Sequence, residues 1–466
     1  MCRFTLTIPE EYFEDLRRAV FSAPGLEGAA YLLCGVSDTG AERRLLVRHV
    51  VPVAEEHVLR QEKFQLSIES ASYVRVAKQA KMIGASVVFV HSHPDGVADF
   101  SVRDDREDEK LHAFWLDQIP DGVHGSLVLS RPNTVRGRVT TAEGRSGISR
   151  IRVIGRRFTF IDDQPDDQAV PEIFDRQVRA FGPDTQRLLA RLHIGVIGAG
   201  GTGSAVMEEL VRLGVGTMSV FDRDVFDETN VNRVYGSSVR DAGRNKAGIA
   251  ADSARRTGLQ TEVRVYSEHI TVHETAMRLR ECDLVFGCTD RHAPRAILVQ
   301  LALRYYIPVI DTGVKIDSHE GKIRGVTGRV TTLMPGEACL FCRERTSADA
   351  IRLETLSPDE RRSLVSEGYA PELETPAPAV IPFTTAVAAQ AVTELLHRLT
   401  GFMGEERRSS EVLLAISESR VRTNRQSPNP ECLCAERSVW GRGDGKRFLN
   451  MSWPESEAHQ GEFRRG

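Results

Sequence analysis

The chain contains no uninterrupted apolar run that approaches the roughly 18 residues of a membrane span. Its N-terminal sequence, MCRFTLTIPEEYF, also lacks the apolar core of a signal peptide. Neither sign of charge dominates, because 61 lysines and arginines face 65 aspartates and glutamates, which gives a net charge of −4. We therefore expect a cytoplasmic protein that binds neither membrane nor nucleic acid.

Cysteine is scarce as well, with eight residues in a chain of 466. So few cysteines in so long a chain argue against a disulfide framework. Four of them instead form two close pairs, Cys339 with Cys342 and Cys432 with Cys434. Four thiolates suit a closed structural zinc site, and the alternative is two unrelated turns that carry reduced cysteines.

The length predicts more than one domain, and a hydrophobic content of 41% with 27% charged residues is typical of globular proteins. The stretch IDDQPDDQAVPE is polar and contains two prolines, which indicates a linker. We expect a first domain over 1–150, a linker over 151–172, a second domain over 173–437 and a flexible tail over 438–466.

Local patterns predict both helices and strands in the first domain. Thr7 and Glu10 have the spacing of a capping box, and the helix after them would face Tyr12, Leu16 and Val20 inward. Helices are also expected over 69–82 and 103–115. Short apolar runs predict strands over 31–34, 45–53, 86–90, 125–129 and 135–140. This mixture with one sheet predicts a small α/β sandwich.

The segment HSHPDGVADFSVRD predicts a metal site. His91 and His93 would face the same side of an extended chain, because side chains alternate along a strand. Asp104 follows Ser101 by three residues, which places both on one side of a first helical turn. Two histidines and one carboxylate with an open fourth position are the ligands of a catalytic zinc. The alternative is a solvated loop that happens to hold two histidines.

These residues match the signature His-x-His, seven residues, Ser-x-x-Asp, and residues 1–145 resemble the JAMM metalloproteases, also called the MPN or Mov34 family. The resemblance implies hydrolysis of an amide or isopeptide bond. It assigns Glu27, which precedes an apolar strand, as the general base and Ser101 as a hydrogen-bond donor to the oxyanion. A solvated surface glutamate is the alternative for Glu27.

A glycine-rich turn follows a second apolar strand, predicted over 194–197. Its glycines are Gly198, Gly200, Gly201 and Gly203. Glycine lets the backbone approach a phosphate closely, and the following helix N-terminus offers free N–H groups. Taken alone, this pattern would also suit a nicotinamide oxidoreductase.

Polar residues further along favour a triphosphate over a nicotinamide. Asp222 ends the next strand, where it can bind ribose hydroxyls, and Asn230 follows at the rim of the sheet. Arg233 and Lys246 supply two cations for a triphosphate. Asp290 lies at the carboxyl end of a later strand, where it can hold Mg²⁺.

Residues 172–436 resemble the ThiF/MoeB and ubiquitin-activating family through GAGGTGS, DRDVFDETNVNR, GRNKAG and CTDR. The resemblance implies an α/β fold with a Rossmann-like, mainly parallel sheet, and ATP-dependent adenylation of a protein C-terminus. Arg176, in FDRQ, matches an arginine that reaches the neighbour's ATP across a homodimer. The family also often carries two cysteine pairs at the positions found here.

Together the two halves predict a bifunctional enzyme with Zn²⁺, ATP and Mg²⁺. It would adenylate a ubiquitin-like or sulfur-carrier protein and hydrolyse bonds at that protein's C-terminus. A conjugating enzyme or a sulfur donor would be a further partner. Two alternatives stay open: a peptide-modifying adenylyltransferase with a trimming protease, and a binding module with one inactive site.

One departure from the family concerns thioester chemistry. Related activating enzymes often carry a nucleophilic cysteine between the first zinc pair and the last long helix. The interval 343–383 contains no cysteine, and Cys288 is predicted to be a packed residue at the sheet rim. We therefore expect the product to remain an acyl-adenylate.

Overall fold

The computed structural model describes residues 2–445 except 64, 95, 131–133, 165–166, 355, 358, 361 and 364–377. The chain divides into two compact units. The first contains Met1–Asp167, Arg304–Tyr306 and Glu436–Arg447, and the second contains Gln168–Leu303 and Ile307–Ala435. Among the residues that the structure describes, no helix is both long and apolar enough for a membrane span.

The first unit combines strands and helices as predicted. Its strands are β1 (Arg3–Pro9), β2 (Ala29–Asp38), β3 (Glu42–Pro52), β4 (Val58–Glu62), β5 (Gln65–Ile68), β6 (Ser86–His93), β7 (His124–Ser130), β8 (Thr134–Thr141), β9 (Gly144–Ile154) and β10 (Phe158–Asp162). Its helices are α1 (Glu10–Val20), α2 (Ser70–Ile83) and α3 (Val102–Gln118).

Eight of these strands form one sheet in the order β1-β3-β2-β6-β7-β8-β9-β10. Strand β1 also pairs in parallel with β9, so the sheet closes on itself. Strands β4 and β5 form a separate antiparallel hairpin. Tyr31 and Val87 from the sheet, Val76 from α2 and Trp115 from α3 share one buried cluster. Strand β6 also pairs with β2 on one side and with β7 on the other as far as its last residues, which fixes its C-terminal end in place.

The inward face of α1 is confirmed, because Tyr12, Leu16 and Val20 are buried. The predicted capping box at Thr7 and Glu10 is wrong. Thr7 belongs to β1, and α1 begins after Pro9 without a side-chain cap. The Glu10 carboxylate instead accepts the backbone N–H of Arg156 at 2.7 Å. The spacing identified the helix but not its cap, because an acidic side chain near a helix start also pairs with a distant arginine.

Two of the expected segments differ from the structure. Residues 151–162, assigned to the linker, contribute the end of β9 and all of β10 to the first sheet. Residues 438–445, assigned to the flexible tail, pack in the first unit, where Trp440 is 3% exposed and its ring centroid lies 6.3 Å from that of Tyr12. A buried aromatic side chain anchors each segment, Phe158 in the first and Trp440 in the second. Residues 446–466 lie outside the described residues.

The second unit is built on the predicted parallel sheet. Its strands are β11 (His193–Ile197), β12 (Thr217–Phe221), β13 (Glu262–Tyr266), β14 (Leu284–Gly287), β15 (Val309–His319), β16 (Lys322–Leu333), β17 (Glu411–Ala415) and β18 (Arg420–Asn424). Its helices are α4 (Asp175–Arg191), α5 (Gly201–Arg212), α6 (Lys246–Arg256), α7 (His273–Arg278), α8 (His292–Arg304), α9 (Ala348–Glu354) and α10 (Ile381–Thr400).

The strand order is β13-β12-β11-β14-β15-β16-β17-β18. The first five strands are parallel, and β16 to β18 add to them in antiparallel fashion. The order turns at β11 and β14, so a crevice forms beyond their carboxyl ends. This arrangement confirms a Rossmann-like, mainly parallel α/β unit. The crevice is where the glycine-rich turn and Asp290 were expected to meet.

Candidate functional sites

The first site lies at the C-terminal end of β6 and the N-terminal end of α3. Strand β6 ends with His91 and His93 on one face, and α3 brings Asp104 against them. His91 Nε2 lies 3.5 Å from Asp104 Oδ1, and His93 Nε2 lies 4.0 Å from Asp104 Oδ2. One ligand atom from each residue falls within 4.8 Å of the other two. The three side chains can therefore reach a single metal ion.

The surroundings of His91 fit a metal ligand. The residue is 5% exposed, and among the described residues neither of its ring nitrogens has a hydrogen-bond partner. A buried imidazole without such a partner is unfavourable unless something else binds it. The ring of His93 is held differently, because its Nδ1 lies 3.1 Å from the carbonyl oxygen of Val97. That contact leaves His93 Nε2 facing the site, as metal-binding histidines require.

Asp104 is oriented by the helix that carries it. Its Oδ2 accepts the backbone N–H of Ser101 at 2.6 Å, while its own N–H donates to Ser101 Oγ at 3.2 Å. Burial opposes the charge of Asp104, but contact with His91 and with the Ser101 N–H outweighs it and holds the pKa of Asp104 well below its usual value. The carboxylate is therefore ionised and available to a cation.

Glu27 lies in the same cavity as these three residues, on the chain leading into β2. Its side chain is largely buried, and its Oε1 lies 3.8 Å from His93 Nε2. Hydrogen bonds fix its backbone: its N–H donates to Glu62 O and its carbonyl accepts from the Gln61 amide. Burial raises the pKa of Glu27 to about 7, although His91 opposes the shift. Such a carboxyl can take up a proton near neutral pH.

The cavity around this site has a volume of about 450 Å³. The structure brings together in it every residue predicted for the hydrolytic site: Glu27, His91, His93, Ser101 and Asp104. The positions of the last four of these, at the ends of β6 and α3, follow the sequence spacing. The sequence spacing did not predict that Glu27 would be buried.

The second site surrounds the glycine-rich turn between β11 and α5. Gly198 has a φ of 92°, a conformation that favours glycine. A Cβ on Gly203 would lie 1.8 Å from the carbonyl oxygen of Gly198, so only glycine fits there. Gly200 precedes the first residue of α5. The turn therefore places free N–H groups of a helix N-terminus at the crevice, where they can bind phosphate.

A cavity of about 330 Å³ opens at this turn. Its lining includes Gly198, Gly200, Gly201, Asp222, Arg233, Lys246 and Asp290. The carboxylate of Asp222 accepts the backbone N–H groups of Ala199 at 2.6 Å and Asp224 at 2.8 Å. Burial raises the pKa of Asp222 despite these hydrogen bonds. Lys246 Nζ lies 2.9 Å from Asp224 Oδ2. Asp222 therefore also shapes the turn, beyond any contact with a nucleotide.

Three predicted residues lie outside the lining of this cavity. Gly203 is buried in α5 beneath the turn, and Asn230 is 7% exposed within a 3₁₀ turn. Arg176 is exposed near the start of α4. Its position does not bring it to the cavity of its own chain.

Arg295 also lines the cavity, although it was not predicted as a site residue from the sequence. It is 9% exposed, and its guanidinium donates to the carbonyl oxygens of Thr289 at 3.0 Å and Asp290 at 3.4 Å. It thereby fixes the backbone that carries Asp290. A signal was present, because Arg295 is the one charged residue in the apolar run APRAILVQLAL of α8.

The four predicted cysteines of the second unit converge. Their sulfur atoms all lie within 4.8 Å of one another. Cys339 Sγ is 3.6 Å from Cys432 Sγ, and Cys342 Sγ is 3.4 Å from Cys434 Sγ. Hydrogen bonding, first of all with Cys434, lowers the pKa of Cys339 to about 5. Four sulfurs in this grouping can hold one metal ion, and sulfur donors favour zinc.

Comparison with known proteins identifies both units. The model of the ThiF family matches residues 174–434, more than half of the chain, and the chain therefore belongs to the ThiF family. The model of the prokaryotic homologs of the JAB domain matches residues 9–135. The predicted fusion of a JAMM-type domain with a ThiF-type domain is confirmed.

Curated relatives match the chain over part of its length. The probable adenylyltransferase/sulfurtransferase MoeZ of Mycobacterium tuberculosis is 34% identical over 26% of this chain and 31% of its own. The tRNA threonylcarbamoyladenosine dehydratase of Escherichia coli is 30% identical over 30% of this chain and 53% of its own. The sulfur carrier protein adenylyltransferase of Thermus thermophilus is 30% identical over 28% of this chain and 48% of its own. The chain thus spans a third to a half of these relatives.

Among solved structures, Escherichia coli MccB with ATP superposes with a TM-score of 0.45 at 17% identity. The superposition covers 58% of this chain and 76% of MccB.

Proposed function

We propose that the second unit uses ATP and Mg²⁺ to adenylate the C-terminal carboxylate of a ubiquitin-like or sulfur-carrier protein. The observation that carries the proposal is one cavity in which a glycine-rich helix N-terminus, Arg233, Lys246 and Asp290 meet. Two cations and free N–H groups suit a triphosphate, and the carboxylate suits a divalent cation. Membership of the ThiF family and the names of the curated relatives support this assignment.

Each of these residues has a separate role in the proposed reaction. The substrate carboxylate attacks the α-phosphorus of ATP, and pyrophosphate leaves. Arg233 and Lys246 neutralise the charge that moves onto the leaving phosphates. Mg²⁺, when held by Asp290, supplies further charge neutralisation. Arg295 keeps the backbone of Thr289 and Asp290 in position. Arg176, exposed on its own chain, would act on the neighbour's nucleotide in a homodimer.

For the first unit, we propose hydrolysis of an amide or isopeptide bond at the C-terminus of the same partner. Zinc, held by His91, His93 and Asp104, would supply a Lewis acid and an activated water. Glu27 accepts the proton of the attacking water and passes it to the leaving amine. The Ser101 hydroxyl accepts the Asp104 N–H, so its own hydrogen is free to donate to the developing oxyanion.

Two variants separate the proposed activities. Glu27→Gln should abolish cleavage of a reporter fused to the partner's C-terminus, and ATP–pyrophosphate exchange should continue. Lys246→Ala should abolish ATP–pyrophosphate exchange, and cleavage of the reporter should continue. Loss of both activities in either variant, or of neither, would overturn the assignment of that residue. Melting curves of both proteins provide the control for folding.

A further inference from the structure

Two chemically different groups of residues line the cavity of the first unit. One group comprises the proposed metal ligands and Glu27. The second group, called here the apolar end, is formed by Leu66, Ile68, Tyr73, Phe89, Leu111 and Phe114, and the charged Lys63, Arg103, Glu107 and Lys110 line the cavity as well. None of the hydrolytic steps proposed above uses this apolar lining. Its presence therefore needs a separate explanation.

The apolar end is continuous with the proposed metal site. Phe89 precedes His91 by two residues on β6, so both side chains point to the same face, and their ring centroids are 5.8 Å apart. Leu111 and Phe114 follow Asp104 along α3 by seven and ten residues, about 10 to 15 Å at 1.5 Å per residue. A substrate side chain that begins near the metal ligands can therefore extend along α3 towards Leu111.

The apolar end is a formed pocket. Tyr73 on α2 and Phe114 on α3 meet edge to face with ring centroids 5.5 Å apart. These side chains and Leu111 are only partly buried, and they pack on the buried core around Trp115. The cavity of about 450 Å³ lies in the range of small-molecule sites. The aromatic side chains thus pack on the buried core with one face and line the cavity with the other.

We propose that this pocket binds a bulky apolar side chain of the substrate, on a residue next to the scissile amide. The inference rests on the hydrolytic function proposed above and defines the substrate class of that site. Glycine at this position would leave the aromatic wall facing water, whereas a phenylalanine or leucine side chain covers it. The pocket therefore selects substrates with an apolar residue beside the cleaved bond.

The test uses peptide amides that differ only in one residue beside the scissile bond, phenylalanine or glycine. One pair places that residue on the acyl side and the other on the amine side, so the preferred side is identified. Wild-type protein should cleave one phenylalanine peptide about 100-fold more efficiently in kcat/KM than its glycine counterpart. Equal kcat/KM within both pairs would overturn the proposal.

Two variants fill the pocket from two different elements, Leu111→Trp on α3 and Ile68→Trp on β5. Each should reduce the ratio of phenylalanine to glycine cleavage towards one. Met82→Trp, at a position on α2 that is 80% exposed, is the matched control and should keep the ratio. Because one filling variant can fail to fold, the two provide independent checks. A ratio unchanged in a folded filling variant would contradict the pocket assignment.

A binding measurement separates this inference from the proposed hydrolysis. Calorimetry with the Glu27→Gln protein should show tighter binding of the preferred phenylalanine peptide than of its glycine counterpart, by at least tenfold in Kd. Tighter binding of the phenylalanine peptide, without any cleavage by the wild-type protein, would support the pocket assignment and contradict the proposed hydrolysis. Cleavage of both peptides, with equal Kd values for the two, would support the proposed hydrolysis and contradict the pocket assignment.

Discussion

Ser101 and Asp104 hold each other in a reciprocal pair of hydrogen bonds at the start of α3. The Ser101 N–H donates to Asp104 Oδ2 at 2.6 Å, and the Asp104 N–H donates to Ser101 Oγ at 3.2 Å. The other carboxylate oxygen, Oδ1, lies 3.5 Å from His91 Nε2. One capping box therefore begins a helix and orients a candidate metal ligand.

Ser101→Ala tests this dual role. Loss of the cap should destabilise the first unit by about 1 kcal/mol, and loss of the orienting contact should weaken zinc binding about tenfold or more. Thermal unfolding and competition with a chromophoric chelator measure the two effects. Ser101→Thr keeps the capping oxygen and should retain most of both. Unaltered zinc affinity in Ser101→Ala would show that the box does not orient the ligand.

His112 should make the stability of the first unit depend on pH. Burial lowers the pKa of this histidine to about 4, against the opposing charge of Asp108. Between pH 6.5 and pH 4 the unfolded state binds a proton that the native state does not, so stability falls as the pH falls through this window. The loss between pH 7.5 and pH 5 should be about 2 kcal/mol.

Urea unfolding of wild type and His112→Gln at several pH values measures this contribution. The variant loses the titrating group, so its unfolding free energy should change less over the same window. Glutamine can still bond to Ser126 or Thr140, which contact the two ring nitrogens of His112 in the wild type. Parallel pH profiles of the two proteins would contradict the assignment.

The two candidate metal sites predict two zinc ions per chain. His91→Ala should remove one ion and Cys432→Ser the other, because each loses a ligand of a separate cluster. Elemental analysis after gel filtration provides the count. Cys2→Ser, which alters a cysteine outside both clusters, should keep both ions. A single zinc in the wild type would contradict the predicted count of two, and two ions in Cys432→Ser would rule out the four-cysteine site.

The adenylate should form without a covalent enzyme intermediate. The interval 343–383 contains no cysteine, and burial raises the pKa of Cys288 to about 12, despite the opposing effect of Thr312. A thiol with this pKa stays protonated at neutral pH and is a poor nucleophile. Incubation with ATP and the partner should therefore give no reductant-sensitive band on a non-reducing gel. A band that disappears with Cys288→Ala would show the opposite.

The positions of the candidate site residues could be predicted where their spacing follows a regular element. His91 and His93 share a strand face, Ser101 and Asp104 share a helical turn, and Lys246 opens α6 as expected. These relations are local, so the periodicity of strand and helix determines them.

Other features depend on contacts between residues far apart in sequence. Glu10 bonds to Arg156 rather than to a cap, and Trp440 packs beside Tyr12. Arg295 is part of the second cavity because α8 turns this arginine towards Asp290. Short-range patterns carry no information on which distant partner satisfies a charge or covers a ring. The linker and tail boundaries were misplaced for the same reason.

Partner-dependent exchange of ATP with labelled pyrophosphate tests the central claim most directly. The substrates are small ubiquitin-like or sulfur-carrier proteins, each with a free C-terminal carboxylate or with the same terminus amidated. We predict exchange with a carboxylate form, none with its amide, and at least a 100-fold loss in Asp290→Asn, because only a free carboxylate can attack ATP and its activation needs the charge at this site. Exchange that is equally fast with the amide, or undiminished in Asp290→Asn, would contradict adenylation of a protein C-terminus by this cavity.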